Sequence, residues 1–370
     1  MIGFIYRTIL KPILFKFPAD DIHHLFLKTG RVLGDNHKSL KVLNYFFSYQ
    51  NSTLKQEVSG IVFENPLGLA AGFDYDADLI DVLPSVGFGY HTIGTVTYLP
   101  YEGNPKPMLG RLPKSQSLLV NKGFKSNGID FILKKISDKK SSIPLGISIG
   151  STNRPYKNTE GMIEDIYTSF EKVLRVNNFD YFELNISCPN LINVENLKDK
   201  FDEPLGFGML LNKLSYLNIN KPLYIKMYGE KSDEETLALC AVAVNYKWVK
   251  GFIFSNLVKD RTNPSFDKEE IESAGRGNFS GKPTEALSNN LISLVYKKYK
   301  DRFIIIGCGG IFTGADAYEK IKRGATLLQL ITGMIYQGPS QISKINKELA
   351  LLLKKDGYEN ISQAVGTYKD

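Results

Sequence analysis

From about residue 58 onwards, short apolar runs alternate with longer stretches in which polar and apolar residues are mixed. In mixed stretches such as "TEGMIEDIYTSFEKVLRVN" and "TGADAYEKIKRGA", apolar residues recur every three or four positions, and Gly or Asn stands at the ends, which is typical of helices. The apolar runs are rich in β-branched residues and predict buried strands. There are eight of them: "NPLGLAAG", "GYHTIGTVT", "PLGISIG", "YFELNIS", "PLYIKM", "GFIFSN", "FIIIGCGG" and "LLQLIT".

Eight strands that alternate with helices predict a (β/α)8 fold, the TIM barrel. A doubly wound parallel sheet is the alternative. That fold usually carries a GxGxxG turn after its first strand, and "GLAAGFDYDAD" does not provide one. The barrel also predicts where the chemistry should lie, because active sites in this fold are built on the loops that follow the carboxyl ends of the strands.

The first fifty residues have a different pattern. In "MIGFIYRTILKPILFKF", isoleucine and leucine recur at helical spacing, while Arg7, Lys11 and Lys16 interrupt every apolar run, so the segment is too broken to span a bilayer. No signal-peptide cleavage site follows, and we expect the segment to stay in the mature protein. A basic amphipathic helix on a membrane surface fits, and a helix that simply packs on the main domain is the alternative. We therefore predict a small N-terminal helical domain, residues 1–50, and a barrel domain, residues 51–370.

Composition narrows the possible chemistry. With 370 residues and 43% hydrophobic composition, the chain can bury one large core. The three cysteines are far apart and have no histidine at metal-ligand spacing, so we expect a reducing compartment and no metal. Only one of the four histidines lies beyond residue 40, which disfavours Ser-His-Asp or Cys-His catalysis. The net charge of +7 is modest, and we expect no nucleic-acid partner.

The residues at the predicted strand ends are mostly small or hydrogen-bonding, which suits a planar polar ligand across the barrel mouth. Glycine pairs after the seventh and eighth strands expose backbone N–H groups where barrels often hold a phosphate, although "GCGG" could also be only a tight turn. Lys226 lies inside an apolar run and needs an anion, from a ligand or from a structural ion pair. In chain order these residues are Ala71, Gly72, Thr95, Ser148, Asn185, Cys188, Asn190, Lys226, Ser255, Asn256, Gly309, Gly310, Thr332 and Gly333.

Taken together, the motifs resemble those of dihydroorotate dehydrogenases, the FMN enzymes that oxidise dihydroorotate to orotate in pyrimidine synthesis. The resemblance covers nearly the whole chain, and "PADDIHHLFLKTG" is similar to the helical domain of the class 2, quinone-reducing, membrane-associated branch. It implies a peripheral membrane protein on the cytoplasmic face of the bacterial inner membrane. The matching blocks are "NPLGLAAGFD", "IGTVT", "GNPKP", "NKGF", "NISCPN", "FSGKP", "IIGCGGI" and "LLQLITGMIYQGP".

The resemblance also implies roles for individual residues. Those expected around FMN are Ala71, Gly72, Thr95, Ser148, Asn185, Lys226, Ser255, Gly281, Gly310, Ile331 and Thr332, beside the phosphate-binding candidates Gly309 and Gly333. Those expected at the substrate are Tyr75, Asn121, Gly123, Phe124, Asn185, Asn190 and Asn256. His23 and Arg111 align with positions near the quinone tunnel. Carboxamides suit an orotate-like ring because they match both its donors and its acceptors.

Three positions depart from the class 2 pattern. Cys188 stands where class 2 enzymes usually have serine, Tyr75 replaces a lysine, and Ser148 replaces an asparagine. A phenol carries no positive charge at neutral pH. Two alternatives therefore stay open: a soluble class 1-like enzyme that uses fumarate, or NAD through a partner, and a flavin-binding membrane-associated protein with weak or different activity.

Cys188 is the predicted catalytic base. The reaction removes a proton from a carbon next to a carbonyl, and a thiol, with an ordinary pKa of about 8.5, suits this better than serine. A buried core thiol is the alternative, which the polar neighbours in "NISCPN" disfavour.

Overall fold

The computed structural model describes residues 2–193 and 197–369. Its strands are β1 (Gln56–Val58), β2 (Ile61–Phe63), β3 (Leu67–Leu69), β4 (Tyr90–Val96), β5 (Leu109–Leu112), β6 (Ser117–Val120), β7 (Leu145–Ile149), β8 (Tyr181–Asn185), β9 (Leu223–Lys226), β10 (Val249–Phe254), β11 (Asn278–Gly281), β12 (Ile304–Cys308) and β13 (Leu327–Leu330). Its α-helices are α1 (Ile2–Ile5), α2 (Lys11–Leu14), α3 (Ala19–Gly34), α4 (His37–Phe47), α5 (Leu83–Val86), α6 (Ile129–Lys135), α7 (Thr159–Val173), α8 (Pro204–Leu214), α9 (Asp233–Val244), α10 (Lys268–Ser273), α11 (Glu285–Tyr299), α12 (Gly314–Lys322), α13 (Thr332–Gln337) and α14 (Gln341–Lys355). A π-helical turn, Tyr6–Leu10, joins α1 to α2.

Eight parallel strands close into a barrel, which confirms the predicted fold. Around the barrel they follow one another in chain order, as β3, β4, β7, β8, β9, β10, β12 and β13, with β13 pairing back onto β3. All eight apolar runs contain a barrel strand. Helices cover the outside because their apolar faces pack on the strands. The side chains of Asn158 and Thr313 cap the N-termini of α7 and α12.

A short hairpin closes the amino-terminal end of the barrel. Strands β1 and β2 pair antiparallel, and Phe63 packs in one cluster with Tyr90 and Tyr181, the first residues of their strands. The hydroxyl of Tyr224 lies 3.2 Å from that of Ser59 in the hairpin turn. Aromatic side chains among the described residues fill this end, so the space for a ligand lies at the other end.

A second, three-stranded antiparallel sheet lies beside the carboxyl end of the barrel. Strands β5 and β6 belong to the connection after β4, and β11 belongs to the connection after β10; β6 pairs with both neighbours. The sequence analysis did not predict this sheet. It carries Arg111 and ends at Gly281, and so brings two of the predicted site residues to the same rim.

The N-terminal helices are anchored on this rim. The Asp20 carboxylate in α3 accepts hydrogen bonds from the backbone N–H groups of Met108 and Leu109, at 3.0 and 3.2 Å. Arg111 donates to the carbonyl oxygen of Phe17 at 2.8 Å. Within the described residues, no helix combines the length and apolar character needed to cross a bilayer.

Candidate active site

A cavity of about 400 Å³ opens at the carboxyl end of the barrel strands and continues beneath α3. Nearly all the residues predicted from sequence line it. Those that do are Ala71, Gly72, Tyr75, Thr95, Gly123, Phe124, Asn185, Cys188, Asn190, Lys226, Ser255, Asn256, Gly281, Gly309, Gly310, Ile331, Thr332 and Gly333, with His23 and Arg111 at its far end. Such a volume is within the usual range of cofactor and ligand pockets.

Ser148, a predicted FMN contact, lies behind the cavity wall. Its hydroxyl is fully buried and lies 2.9 Å from that of Thr95, which in turn accepts a hydrogen bond from the Asn185 carboxamide at 3.0 Å. In this arrangement Ser148 orients two residues that do line the cavity. Its own contact with a cofactor stays a prediction.

Asn121, a predicted substrate contact, belongs to a network of carboxamides beside the cavity. Asn104 donates to the Asn121 side-chain oxygen at 2.9 Å and to the Asn190 carbonyl at 3.0 Å. Asn278 donates to the side-chain oxygen of Asn190 at 2.6 Å. The network fixes the loop that carries Asn190. Asn104 belongs to the "GNPKP" motif, but nothing in the sequence marks it as a site residue; only the three-dimensional contacts reveal its role.

Cys188 lies in the cavity wall, as predicted, but its acidity differs from the expectation. Burial raises the pKa of this thiol to about 12, and the opposing effects of the Asn190 backbone N–H, Lys226 and Lys259 do not offset it. The sequence argument rested on an ordinary thiol pKa of about 8.5. Burial disfavours the charged thiolate, so at neutral pH the reactive form is scarce.

Lys226 has the environment expected of a ligand-binding cation. Its side chain is 5% exposed and lines the cavity. Among the described residues, no carboxylate oxygen lies within 4.0 Å of its ammonium group, and the buried carboxyl group of Glu183 interacts with it only from a greater distance. Burying an ammonium group without an anion is costly. A ligand that becomes anionic beside Lys226 would supply a partner in direct contact.

The glycine turns after β12 and β13 fit a phosphorylated cofactor. Gly309 and Gly310 have φ values of +110° and +70°, which favour glycine. A Cβ on Gly309 would lie 2.2 Å from the Thr284 hydroxyl, and a Cβ on Gly333 would lie 2.0 Å from the Ile311 carbonyl oxygen. Both turns therefore require bare backbone, whose N–H groups can meet a phosphate. With Lys226 and the hydroxyls and carboxamides of the wall, the donor set suits FMN.

The far end of the cavity is apolar and lies between α3 and the antiparallel sheet. Tyr6, Phe15 and Phe26 contribute to its walls. The Arg111 guanidinium group lies 4.6 Å from the centre of the Phe15 ring. This end could admit an apolar, planar molecule to the same space that Cys188 and Lys226 line.

Lys122, which the sequence analysis did not single out, lies where the polar and apolar ends meet. Its ammonium nitrogen is 4.5 Å from the centre of the Tyr75 ring and 2.9 Å from His23 Nδ1. Tyr75 is buried, which raises the pKa of its phenol and keeps it neutral. The only sequence signal was the position of this lysine within "NKGF".

Comparisons with known proteins agree with this geometry. A sequence profile described as dihydroorotate dehydrogenase matches residues 53–353. A "Dihydroorotate dehydrogenase (quinone)" from Christiangramia forsetii is 35% identical over 351 residues, covering 93% of this chain and 98% of that protein. The protein of the same name from Trichodesmium erythraeum is 34% identical, covering 98% of each. The crystal structure of DHODH in complex with ferulenol from Eimeria tenella superposes with a TM-score of 0.77 at 26% identity, covering 89% of this chain and 93% of that one.

Proposed function

The chain belongs to the dihydroorotate dehydrogenase family, and we propose that it oxidises dihydroorotate to orotate in pyrimidine synthesis and passes the electrons to a quinone. The observation that carries the proposal is one continuous cavity, with a thiol, a buried ammonium group and carboxamides at its polar end and an apolar passage under α3 at the other. The soluble alternative that uses fumarate or NAD is not favoured, because the similar proteins are named quinone enzymes.

FMN is the proposed cofactor, held by the residues that line the polar end. Lys226 would lie beside the ring, the Gly309–Gly310 and Thr332–Gly333 turns would bind the phosphate, and Ile331 would pack on the ring. When bound, the flavin accepts the hydride that leaves the substrate. The Lys226 ammonium group stabilises negative charge that develops beside it.

Cys188 is the proposed base for the proton that leaves the substrate carbon next to a carbonyl. Its sulfur must be ionised to accept this proton, and the raised pKa makes ionisation the limiting requirement. Asn190 and Asn256 lie on the loops after β8 and β10 and line the same space. Their carboxamides would orient the ring, since each offers a donor and an acceptor.

The N-terminal helices, within the proposed domain of residues 1–50, are the proposed membrane-docking surface and quinone entrance. Phe4, Ile9, Ile13 and Phe17 are all more than half exposed on the first helical segment, and Lys11 lies among them. An apolar face with basic residues suits the boundary between acyl chains and headgroups. We place the protein on the cytoplasmic face of a bacterial inner membrane, with the passage past His23 and Arg111 leading from the lipid to the cofactor.

Anaerobic titration of the purified protein with dihydroorotate tests this function. The flavin absorbance should bleach in proportion to added substrate, and decylubiquinone should restore it faster than fumarate. A colourless protein that takes up no FMN, or a flavin that dihydroorotate leaves oxidised, would overturn the proposal. Faster reoxidation by fumarate would overturn the choice of acceptor alone.

A further inference from the structure

The amine of Lys122 forms no ion pair with any described residue. Its Nζ has two close neighbours, His23 Nδ1 at 2.9 Å and the Tyr75 ring at 4.5 Å. In residues 2–193 and 197–369, no carboxylate oxygen lies within 4.0 Å of it. A partly buried ammonium group beside a ligand cavity without a counter-ion indicates that the counter-ion comes with a ligand.

His23 cannot be the counter-ion, because its hydrogen bonds make it a neutral acceptor. His23 Nε2 lies 2.8 Å from the carbonyl oxygen of Phe73, which can only accept, so Nε2 carries the proton and Nδ1 faces Lys122 as a lone pair. Burial lowers the pKa of His23 to about 3. The imidazole therefore orients the ammonium group and leaves its charge uncompensated.

The other charged groups around Lys122 act only at a distance. Asp20 of α3 and Asp76 of the loop after β3 favour the ammonium form, and Lys125 opposes it. Both carboxylates already accept hydrogen bonds, Asp20 from two backbone N–H groups and Asp76 from the Asn127 side chain. Burial outweighs them and lowers the pKa of Lys122 to about 7. A bound anion would restore the ordinary preference for the charged form.

The loop that carries Lys122 is packed against the loop that carries the candidate base. Gly123 has a φ of +63°, and a Cβ there would lie 2.9 Å from the Asn190 carbonyl oxygen. Gly123 and Phe124 line the cavity together with Cys188 and Asn190. Lys125 of the same loop also lines the cavity, and its ammonium group donates to the Glu102 carbonyl oxygen at 3.0 Å.

We propose that Lys122 binds the carboxylate of the substrate, supplying from the loop after β6 the positive charge that position 75 lacks. The proposal rests on the proposed function, since dihydroorotate and orotate are the anions concerned. Tyr75 supports the ammonium group with its ring face, a cation–π contact that holds the charge at the cavity wall. A quinone, being neutral, gains less from this position than a carboxylate does.

Binding of orotate and uracil to the FMN-loaded protein, measured by calorimetry, tests the assignment. Uracil presents the same ring without the carboxylate. Lys122→Met should weaken orotate binding about 10- to 100-fold, as expected for losing one charge-assisted hydrogen bond, and should leave uracil binding unchanged. Lys122→Arg should retain most of the affinity. Lys125→Met is the matched control, a lysine of the same loop whose ammonium group donates to the Glu102 carbonyl, and it should change neither.

Three results would overturn the assignment: equal orotate affinity in wild type and Lys122→Met, equal losses for orotate and uracil, or a change confined to the KM for quinone. If Lys122→Met does not retain FMN, the double variant Tyr75→Lys with Lys122→Met provides the test. We expect the double variant to recover orotate affinity, and no recovery would count against the assignment. Wild-type protein that binds no orotate would instead refute the proposed function itself.

Discussion

The pH dependence of flavin reduction is the most direct test of Cys188 as the base. With a thiol pKa of about 12, the thiolate fraction at pH 7 is roughly 10⁻⁵, and it rises tenfold with each pH unit. The rate constant for flavin reduction at saturating dihydroorotate should therefore rise about tenfold per unit from pH 6 to pH 10, without a plateau. Saturation removes the separate effect of pH on substrate binding.

Anaerobic stopped-flow measurement of flavin bleaching provides this rate constant in a single turnover, free of the quinone step. Cys188→Ala, which keeps the loop and removes the ionising group, should reduce the rate strongly and flatten its pH dependence. Unchanged FMN content and orotate affinity would show that the variant site is intact. A plateau below about pH 9 in the wild type would refute the reasoning, since the base would then ionise far more easily than burial of this thiol allows. An unchanged rate in Cys188→Ala would remove Cys188 from the role.

Three further outcomes are expected. Orotate affinity, measured by calorimetry, should be constant below about pH 6 and should fall above pH 7 as free Lys122 loses its proton, and Lys122→Arg should abolish that fall. His23 has a pKa of about 3 in the folded protein against 6.5 in the unfolded chain, so the unfolded chain takes up this proton first as the pH falls. The free energy of unfolding, measured by urea titration, should therefore fall by about 2 kcal/mol between pH 6.5 and pH 5, and it should fall less in His23→Gln. The double variant Phe4→Ser with Phe17→Ser should bind anionic vesicles at least about tenfold more weakly in co-sedimentation, while Tyr216→Ser, which changes an exposed aromatic on the barrel, should bind as the wild type does.

The barrel could be predicted from sequence because its strands are buried on both faces, and parallel strands of that kind read as continuous apolar runs. The strands outside the barrel were missed for the opposite reason. Strands β5 and β6 form a hairpin, but each has only four residues, too few for a clear alternation of polar and apolar positions. Their partner β11 lies more than 150 residues further along the chain. Its position nevertheless decides where Arg111 and Gly281 lie.

Most of the cavity lining could also be predicted, because the end of each barrel strand must face one rim. Sequence alone could not say which polar side chains face a ligand and which face one another. Ser148 forms a hydrogen bond with Thr95, and Asn121 forms one with Asn104. Nor could it reveal the raised pKa of Cys188, since burial depends on residues brought in from distant parts of the chain.

Lys122, His23 and Tyr75 together show how one cavity can serve two dissimilar molecules. An ammonium group facing the apolar passage would draw anions into the region proposed for quinone. His23, a neutral residue of α3 that the Phe73 carbonyl oxygen orients, lies on one side of the Lys122 ammonium group, and the Tyr75 ring lies on another side. Among the described residues, His23 is its hydrogen-bond partner, so the rest of its hydrogen-bonding capacity can meet a ligand. On this proposal, a lysine at position 122 with a phenol at position 75 places the positive charge near the substrate and lets the rest of the passage remain apolar.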